Sequence, residues 1–464
     1  GSSHAGSKDR LLACLHVHIE SVPIAVSVMN RGRRFQRERR SQRSHWWRLG
    51  MIDPSSGTAR ADDEFKVMDW NVLSDLRGIA ASRPWEHRRE QIMQEIISSA
   101  PDILTLQDVE IGVFKNWFTP RLEGLGYTCR FQQYGREPCF TAGRYTQCGV
   151  ATFCLASRFR VVEHRVIDYD RFGLAEGRYI PTHPYGFIRD VEEYGGDPIL
   201  MPPDPEQMYW DQGGVALVLF LEDLFARGAD AGAARMLAVF NTALLADESH
   251  VEFVVPGMLS SVAGGTRLWQ AHLLSKVIEQ LKVERAGLPL LVCGDFGSMP
   301  GSDVHDLLSS GAVASSGLDV QRLLQHFAKD KKLPRKLYMR RTPLQEAYST
   351  CARGVAPFTQ YGSHGREAVD YIWFSQEELA VLAVVVQAPT APEVVDEISR
   401  SVMLPSAMCP SDHVPLVSIF TYAGDSVGRL GHADDVCSRL LQEHVKERRR
   451  HPGLLAISPG LLAI

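Results

Sequence analysis

From Phe65 onward the chain alternates apolar and polar positions in short runs. Phe65-Lys66-Val67-Met68-Asp69-Trp70-Asn71-Val72-Leu73 has strand periodicity, and Pro84 to Ser99 has helical spacing through Trp85, Ile92, Ile96 and Ile97. A second strand is expected from Asp102 to Val109. Further strands are expected at Gly149 to Cys154, Val215 to Leu221, Met236 to Phe240, Leu288 to Cys293, Tyr371 to Phe374, Leu379 to Val386 and Val414 to Phe420. Many short strands with interspersed helices predict a layered α/β sandwich.

The pattern fails in four places. The region 1–60 is expected to be a basic extension: Arg31 to Arg48 carries a single acid, Glu38, and fits either a targeting segment or a basic arm. Between Tyr169 and Gly213, six prolines and an excess of acids such as Asp190, Glu192 and Glu193 mark an insertion. Ala328 to Arg341 is basic. Beyond the domain expected over 61–422, the region 423–464 should hold a helix from Asp434 to Arg450, acidic at its start and basic at its end. A repeated Pro-Gly-Leu-Leu-Ala-Ile closes the chain, at 452–457 and 459–464.

Polar residues collect where the apolar runs begin and end. Asn71, Asp108, Asn241 and Asp295 stand where strand runs give out, and Asp370 and Asp412-His413 stand just before others. An aspartate at a strand end is ordinarily a turn or cap residue, but a series of them in two face-to-face sheets would form one rim. Four carboxylates, two amides and a histidine suit a hard divalent cation and the phosphate chemistry such an ion assists.

Composition narrows the picture. The chain has 464 residues with 45% hydrophobic and 23% charged side chains, ordinary for a globular protein, and no apolar stretch long enough for a membrane span. Its formal charge of -5 gives no global basic footprint, so any RNA contact must come from local patches. Nine cysteines without Cys-x-x-Cys pairs argue against a disulfide framework or zinc site and for a reducing compartment, mitochondrial if the arginine run is a transit signal and cytoplasmic otherwise.

Five segments carry a family resemblance: Pro-Asp-Ile-Leu-Thr-Leu-Gln-Asp-Val-Glu (101–110), Arg-Leu-Trp-Gln-Ala-His-Leu-Leu (267–274), Cys-Gly-Asp-Phe-Gly-Ser-Met-Pro-Gly-Ser (293–302), Pro-Phe-Thr-Gln-Tyr (357–361) and Ala-Val-Asp-Tyr-Ile-Trp-Phe-Ser (368–375). With Trp70-Asn71, Asn241-Thr242-Ala243-Leu244 and Ser411-Asp412-His413, they resemble the endonuclease/exonuclease/phosphatase superfamily, in its deadenylase and nocturnin branch. The resemblance implies a deoxyribonuclease I-like, four-layer α/β sandwich of two packed mixed β-sheets flanked by helices. It also implies Mg2+ or Mn2+ held by Asn71, Asp108 and Asp412. Asp295 would orient or deprotonate the attacking water, Asp370 would support the site, His413 would contact the scissile phosphate, and Asn241 would complete the catalytic set. Three positions depart from the family pattern. Asp108 stands for glutamate, Ala243 for the histidine of Asn-Thr-His-Leu, and Gly297 for the asparagine of Gly-Asp-Phe-Asn.

A positioned proton donor is worth about 10²–10⁴-fold and an electrostatic stabiliser about 10²–10³-fold. The expectation is therefore a nuclease-like domain whose phosphodiesterase activity is lost or strongly reduced. It would serve as a binding or scaffold component of an RNA-processing or ribonucleoprotein assembly, with protein partners engaged through the basic extension, the 169–213 insertion and the C-terminal tail. The alternative is an active Mg-dependent 3′-5′ exoribonuclease, deadenylase or nucleotide phosphatase. Activity would then need substitutes for the missing groups, for which His250, His272 and His364 are the candidate histidines.

Overall fold

The computed structural model describes residues 64–423 with interruptions, together with 460–463. Outside the described residues lie the basic extension, nearly all of the 169–213 insertion, the basic stretch 328–341, His250, His364, the expected helix 434–450 and the first copy of the terminal repeat.

In chain order the strands are β1 (Phe65–Asn71), β2 (Ile103–Glu110), β3 (Tyr127–Gln133), β4 (Cys139–Thr141), β5 (Arg144–Thr146), β6 (Cys148–Leu155), β7 (Phe159–Asp168), β8 (Val215–Arg227) and β9 (Ala234–Ala243). There follow β10 (Leu290–Asp295), β11 (Gln345–Glu346), β12 (Gln360–Gly362), β13 (Gly365–Glu367), β14 (Asp370–Phe374), β15 (Leu379–Val386), β16 (Leu416–Tyr422) and β17 (Gly460–Ala463). One sheet has the order β17-β15-β16-β1-β2-β6-β3 and the other β11-β14-β10-β9-β8-β7; β4-β5 and β12-β13 are separate hairpins.

The alternation in β1 explains the layering. Phe65 and Val67 face the second sheet, within an apolar layer shared with Leu217, Val239, Leu291 and Ile372. Met68 and Trp70 face outward, where Ile92 and Ile96 of helix α1 (Trp85–Ser99) cover them with Trp117 and Phe118 of α2, a helix running from Ile111 to Gly124 through a π-helical turn at Phe114–Phe118. The second sheet is covered on its own outer side by α3 (Leu259–Glu284), α4 (Asp303–Ser310) and α5 (Leu318–Phe327) through Leu274, Ile278, Leu307 and Leu323. Each large apolar side chain buried in this way contributes roughly 1.5–3 kcal/mol. The result is the expected four-layer sandwich of two mixed sheets flanked by helices.

Several element boundaries differ from the sequence expectation, for physical reasons. The last strand of the domain starts at Leu416 rather than Val414, because Pro415 has no N–H to give a ladder. β9 continues through Asn241 to Ala243, so a polar run is strand rather than rim. β7 escapes a period-two reading because its pairing with β8 shifts between Val161 and Glu163. The second copy of the terminal repeat supplies β17, pairing Gly460 with Val386 and Ala463 with Ala383 at the edge of the first sheet.

Candidate active site

Each sheet contains one parallel pair, β1 with β2 and β9 with β10, and each pair is joined through a helix. At the carboxyl ends, Asn71 is the ladder partner of Gln107 and Ala243 that of Asp295. The neighbouring strands β14 and β16 run antiparallel to β10 and β1, so their first residues come to the same rim. Asp370 pairs with Asp295, and Asp412-His413 leads into β16, whose Leu416 pairs with Asp69. Residues that follow some strands and precede others in sequence thereby meet at the strand ends, where α/β folds commonly bind ligands.

On the first sheet, Asn71 joins the two halves. Its Oδ1 accepts the Leu73 N–H at 3.0 Å, which sets the amide so that Nδ2 donates to Asp108 Oδ2 and to Asp295 Oδ2, each at 3.0 Å. Asp108 has a left-handed backbone, φ 57°, at a bulge where the β2–β6 register shifts between Leu106 and Val109. The Tyr134 hydroxyl accepts the Asp108 N–H at 3.1 Å and donates to Asp108 Oδ1 at 3.2 Å. Glu110, two residues on, accepts the Asp75 N–H instead, at 3.1 Å.

Arg88, wholly buried on α1, fixes the surrounding loops. Its guanidinium donates to the carbonyls of Arg83, Val72, Pro410 and Leu73 and to Asp75 Oδ1, at 2.6–3.2 Å. Burial draws its pKa down, against the Asp75 carboxylate, which raises it. The loop after Asn71 and the loop before Asp412 are thus tied to one side chain.

On the second sheet, Asp295 Oδ1 accepts the Gly297 N–H at 2.9 Å. Gly297 has φ 54°, a conformation that glycine and asparagine tolerate best. Gly294 allows β10 to approach β9: a Cβ there would stand 1.8 Å from the Thr242 carbonyl oxygen. Ala243 ends β9 with a buried methyl group in the inter-sheet layer. His272 lies on α3 with its ring against Trp269, centroids 5.5 Å apart.

Asn241 is not brought to the rim. Its Nδ2 lies within 3.2 Å of the Leu106 and Ala151 carbonyls and Thr152 Oγ1, and its Oδ1 accepts from Gln107 Nε2 at 2.9 Å. The amide is committed between the sheets, where it would orient β9 rather than touch a substrate. Gln107 also donates to Asp69 Oδ1 at 2.7 Å, as Thr105 does at 2.6 Å. Burial first, then the nearby Asp370 and Asp295, push Asp69 up to about 8 against those hydrogen bonds. Asp69 and Arg88 are absent from the sequence expectation. Asp69 could have been found from period two, which places it on the inter-sheet face with Asn71, whereas nothing local marks Arg88.

His413 Nδ1 lies 3.0 and 2.8 Å from the two oxygens of Asp370, and its Nε2 is 4.0 Å from Asp295 Oδ2 and 3.9 Å from Asp412 Oδ1. Burial, the largest single influence, opposes its charge, but Asp370, Asp412 and Asp295 together outweigh it and hold the imidazole well above its usual pKa. Asp370 is raised to about 6 by burial, against the pull of His413. His413 is thus an imidazolium at neutral pH, and Asp370, though raised, stays on the carboxylate side of neutrality. Trp70 Nε1 donates to the His413 carbonyl at 2.9 Å, and Thr359 Oγ1 accepts the N–H groups of Val369 and Asp370 at 2.8 and 3.0 Å. Residues 359–361 thus run beside Asp370 and His413, with the Tyr361 N–H donating to the Asp412 carbonyl.

The sequence matches the endonuclease/exonuclease/phosphatase family over residues 70–413, a span that includes every rim residue from Asn71 to His413. The chain belongs to this family. It is 28% identical over 404 residues to carbon catabolite repressor protein 4 homolog 1 of Arabidopsis thaliana, covering 80% of this chain and 59% of that protein. It is 25% identical over 408 residues to the CCR4-Not complex 3′-5′-exoribonuclease subunit Ccr4 of Emericella nidulans, covering 83% and 55%. The chain thus spans little more than half the length of these curated relatives. Among solved structures, that of ANGEL2, described as a 2′,3′-cyclic phosphatase in complex with adenosine-2′,3′-vanadate, superposes with a TM-score of 0.54 at 22% identity. It covers 77% of this chain and 96% of that one, a likeness of fold.

Nucleases of the endonuclease/exonuclease/phosphatase family typically depend on a divalent metal, and the donor set here fits one. Asp108, Asp295 and Asp412 offer hard carboxylate oxygens, the chemistry magnesium and manganese accept. Ligand atoms of Asp295, Asp370 and His413 lie within 4.8 Å of one another. Asp370 is engaged with His413; Asp295, with Asp108 beyond Asn71 and Asp412 beyond His413, would hold an ion that neutralises phosphate charge. Asn71 fits less well as a ligand: its amide nitrogen, which cannot bind a cation, faces the carboxylates, and turning it over would set NH2 against the Leu73 N–H.

Proposed function

We propose that this endonuclease/exonuclease/phosphatase-family chain holds the phosphate of an RNA 3′ end beside a divalent metal, with hydrolysis lost or strongly reduced. The observation that carries the reading is the methyl group of Ala243, directly across the ladder from Asp295. At that point the family resemblance expects a proton-donating histidine. The Gly297 replacement works in the same direction, since its N–H orders Asp295 but no side chain extends toward a substrate. What remains is a site for binding. His413, held as a cation by Asp370, offers Nε2–H to a phosphate oxygen, and Asp295 is fixed to orient a water.

RNA as the ligand class, and a multiprotein RNA-processing assembly as the setting, follow from likeness to relatives named as exoribonuclease subunits of the CCR4-Not complex. A second reading, an active Mg-dependent 3′-5′ exoribonuclease or nucleotide phosphatase, draws support from the intact Asp295, Asp370 and His413 geometry.

Hydrolysis and binding of a 3′-labelled poly(A) oligonucleotide, with magnesium or manganese and with D295A as control, separate the two. The expected result is metal-assisted RNA binding with little cleavage above the control, at protein concentrations exceeding substrate. Rapid cleavage abolished by D295A would establish the second reading instead.

A further inference from the structure

We infer that Tyr134 is a positioning residue of the proposed metal site, holding the short carboxylate of Asp108 in the orientation from which Oδ2 binds the ion. This inference rests on the reading of Asp108 as a metal ligand.

The local geometry leads to it in steps. A left-handed, non-glycine residue at a bulge turns its N–H away from the ladder, and Asp108 is such a residue. The N–H then needs another acceptor, and the acceptor is the Tyr134 hydroxyl at 3.1 Å. A phenol has one proton to give, and here it goes back to Oδ1 of the same aspartate at 3.2 Å. One hydroxyl therefore grips both backbone and side chain of Asp108. That leaves Oδ2 as the carboxylate oxygen turned toward Asn71, and through it toward Asp295.

Tyr134 is itself placed by the sheet. Its N–H donates to the Cys148 carbonyl at 2.8 Å, and the adjacent Gln133 pairs with Gly149, which pairs on its other side with Val109. Gly149 permits this closeness, since a Cβ there would stand 2.1 Å from the Gln132 carbonyl oxygen. The bulge and the phenol are thus held in register across three strands. A carboxylate one methylene shorter than glutamate has less freedom to seek an ion, so an outer hydrogen bond that sets its direction matters more. Outer partners of metal ligands typically change affinity by about 10–100-fold.

The test is magnesium and manganese titration of the full chain by calorimetry, together with the rise in melting temperature that each metal produces. Relative to the native chain, Y134F should bind metal about 10–100-fold more weakly and lose most of the metal-induced rise. The double variant Y134F/D108E should regain affinity, because glutamate reaches the ion without the clamp. A merely structural tyrosine would lower the melting temperature without metal and leave the metal affinity unchanged. That outcome, or a double variant as weak as Y134F, overturns the inference. Absence of metal binding by the native chain overturns the metal reading itself, a result distinct from native binding that Y134F leaves intact. Should Y134F alone not fold, Y134L takes its place: metal affinity about 10-fold or more below native supports the clamp, and native affinity overturns it.

Discussion

The two parallel units, β1-α1-β2 and β9-α3-β10, place their carboxyl ends against the same space but furnish them differently. The first ends on Asn71 and Asp108, held by Leu73, Tyr134 and the five donor bonds of Arg88. The second ends on a methyl group at Ala243, on Asp295 and on a bare Gly297. The half that fixes carboxylates is over-determined by hydrogen bonds, though Asp108 stands where the family resemblance expects glutamate. The other half carries Ala243 and Gly297 where the resemblance expects histidine and asparagine. Fold and catalytic outfit are therefore separable: the second unit keeps its ladder, its Gly294 approach and its buried Asn241, none of which needs the missing groups.

The largest way to sharpen this contrast is to refill the second unit. A243H/G297N should raise RNA hydrolysis by about 10²-fold or more over the native chain. The backbone at 297 already has a conformation asparagine accepts. A folded, RNA-binding double variant that stays at the native rate would place the deficit elsewhere, the shorter Asp108 being the next suspect.

The first unit can be broken instead. In R88K an ammonium replaces a fork that serves four carbonyls and Asp75. Buried acceptors left unpaired cost about 1–3 kcal/mol each, so the loss should be on the order of 3 kcal/mol in urea denaturation. A loss below about 1 kcal/mol would mean that the loops after Asn71 and before Asp412 order themselves without it.

On the inter-sheet face of β1 lies Asp69, whose effect should be visible through pH. Folded Asp69 keeps its proton up to about pH 8, whereas an unfolded aspartate loses it near pH 4. Its stabilising contribution is complete below about pH 4 and is lost as pH rises through about 8. Native stability should fall over that window by up to about 1.4 kcal/mol per pH unit more than that of D69N, which carries no titrating acid. Thermal melts of both chains at pH 5 and pH 8 read this directly; parallel slopes would mean that Asp69 is ionised in the fold.

Much of this was legible in order along the chain. Period-two runs found β1, β2, β6 and β15 because each has a face or faces packed in apolar layers, and helical spacing found α1. The replaced residues were equally visible, since Ala243 and Gly297 are read directly from Asn-Thr-Ala-Leu and Gly-Asp-Phe-Gly. β7 was not legible, because a register shift changes the phase of its alternation.

The sequence by itself determined which chemical groups the site possesses and which it lacks, because side-chain identity needs no folding to be known. Tertiary structure alone decided how those groups are used. Asn241 looked like a rim residue until β9 carried it between the sheets, and Asn71 looked like a ligand until the Leu73 N–H turned its nitrogen inward. Tyr134 reaches Asp108 from 26 residues away and Arg88 reaches Pro410 from 322 away. Hydrogen-bond partners at such separations are set by the packing of sheets and loops, and local pattern holds no record of them.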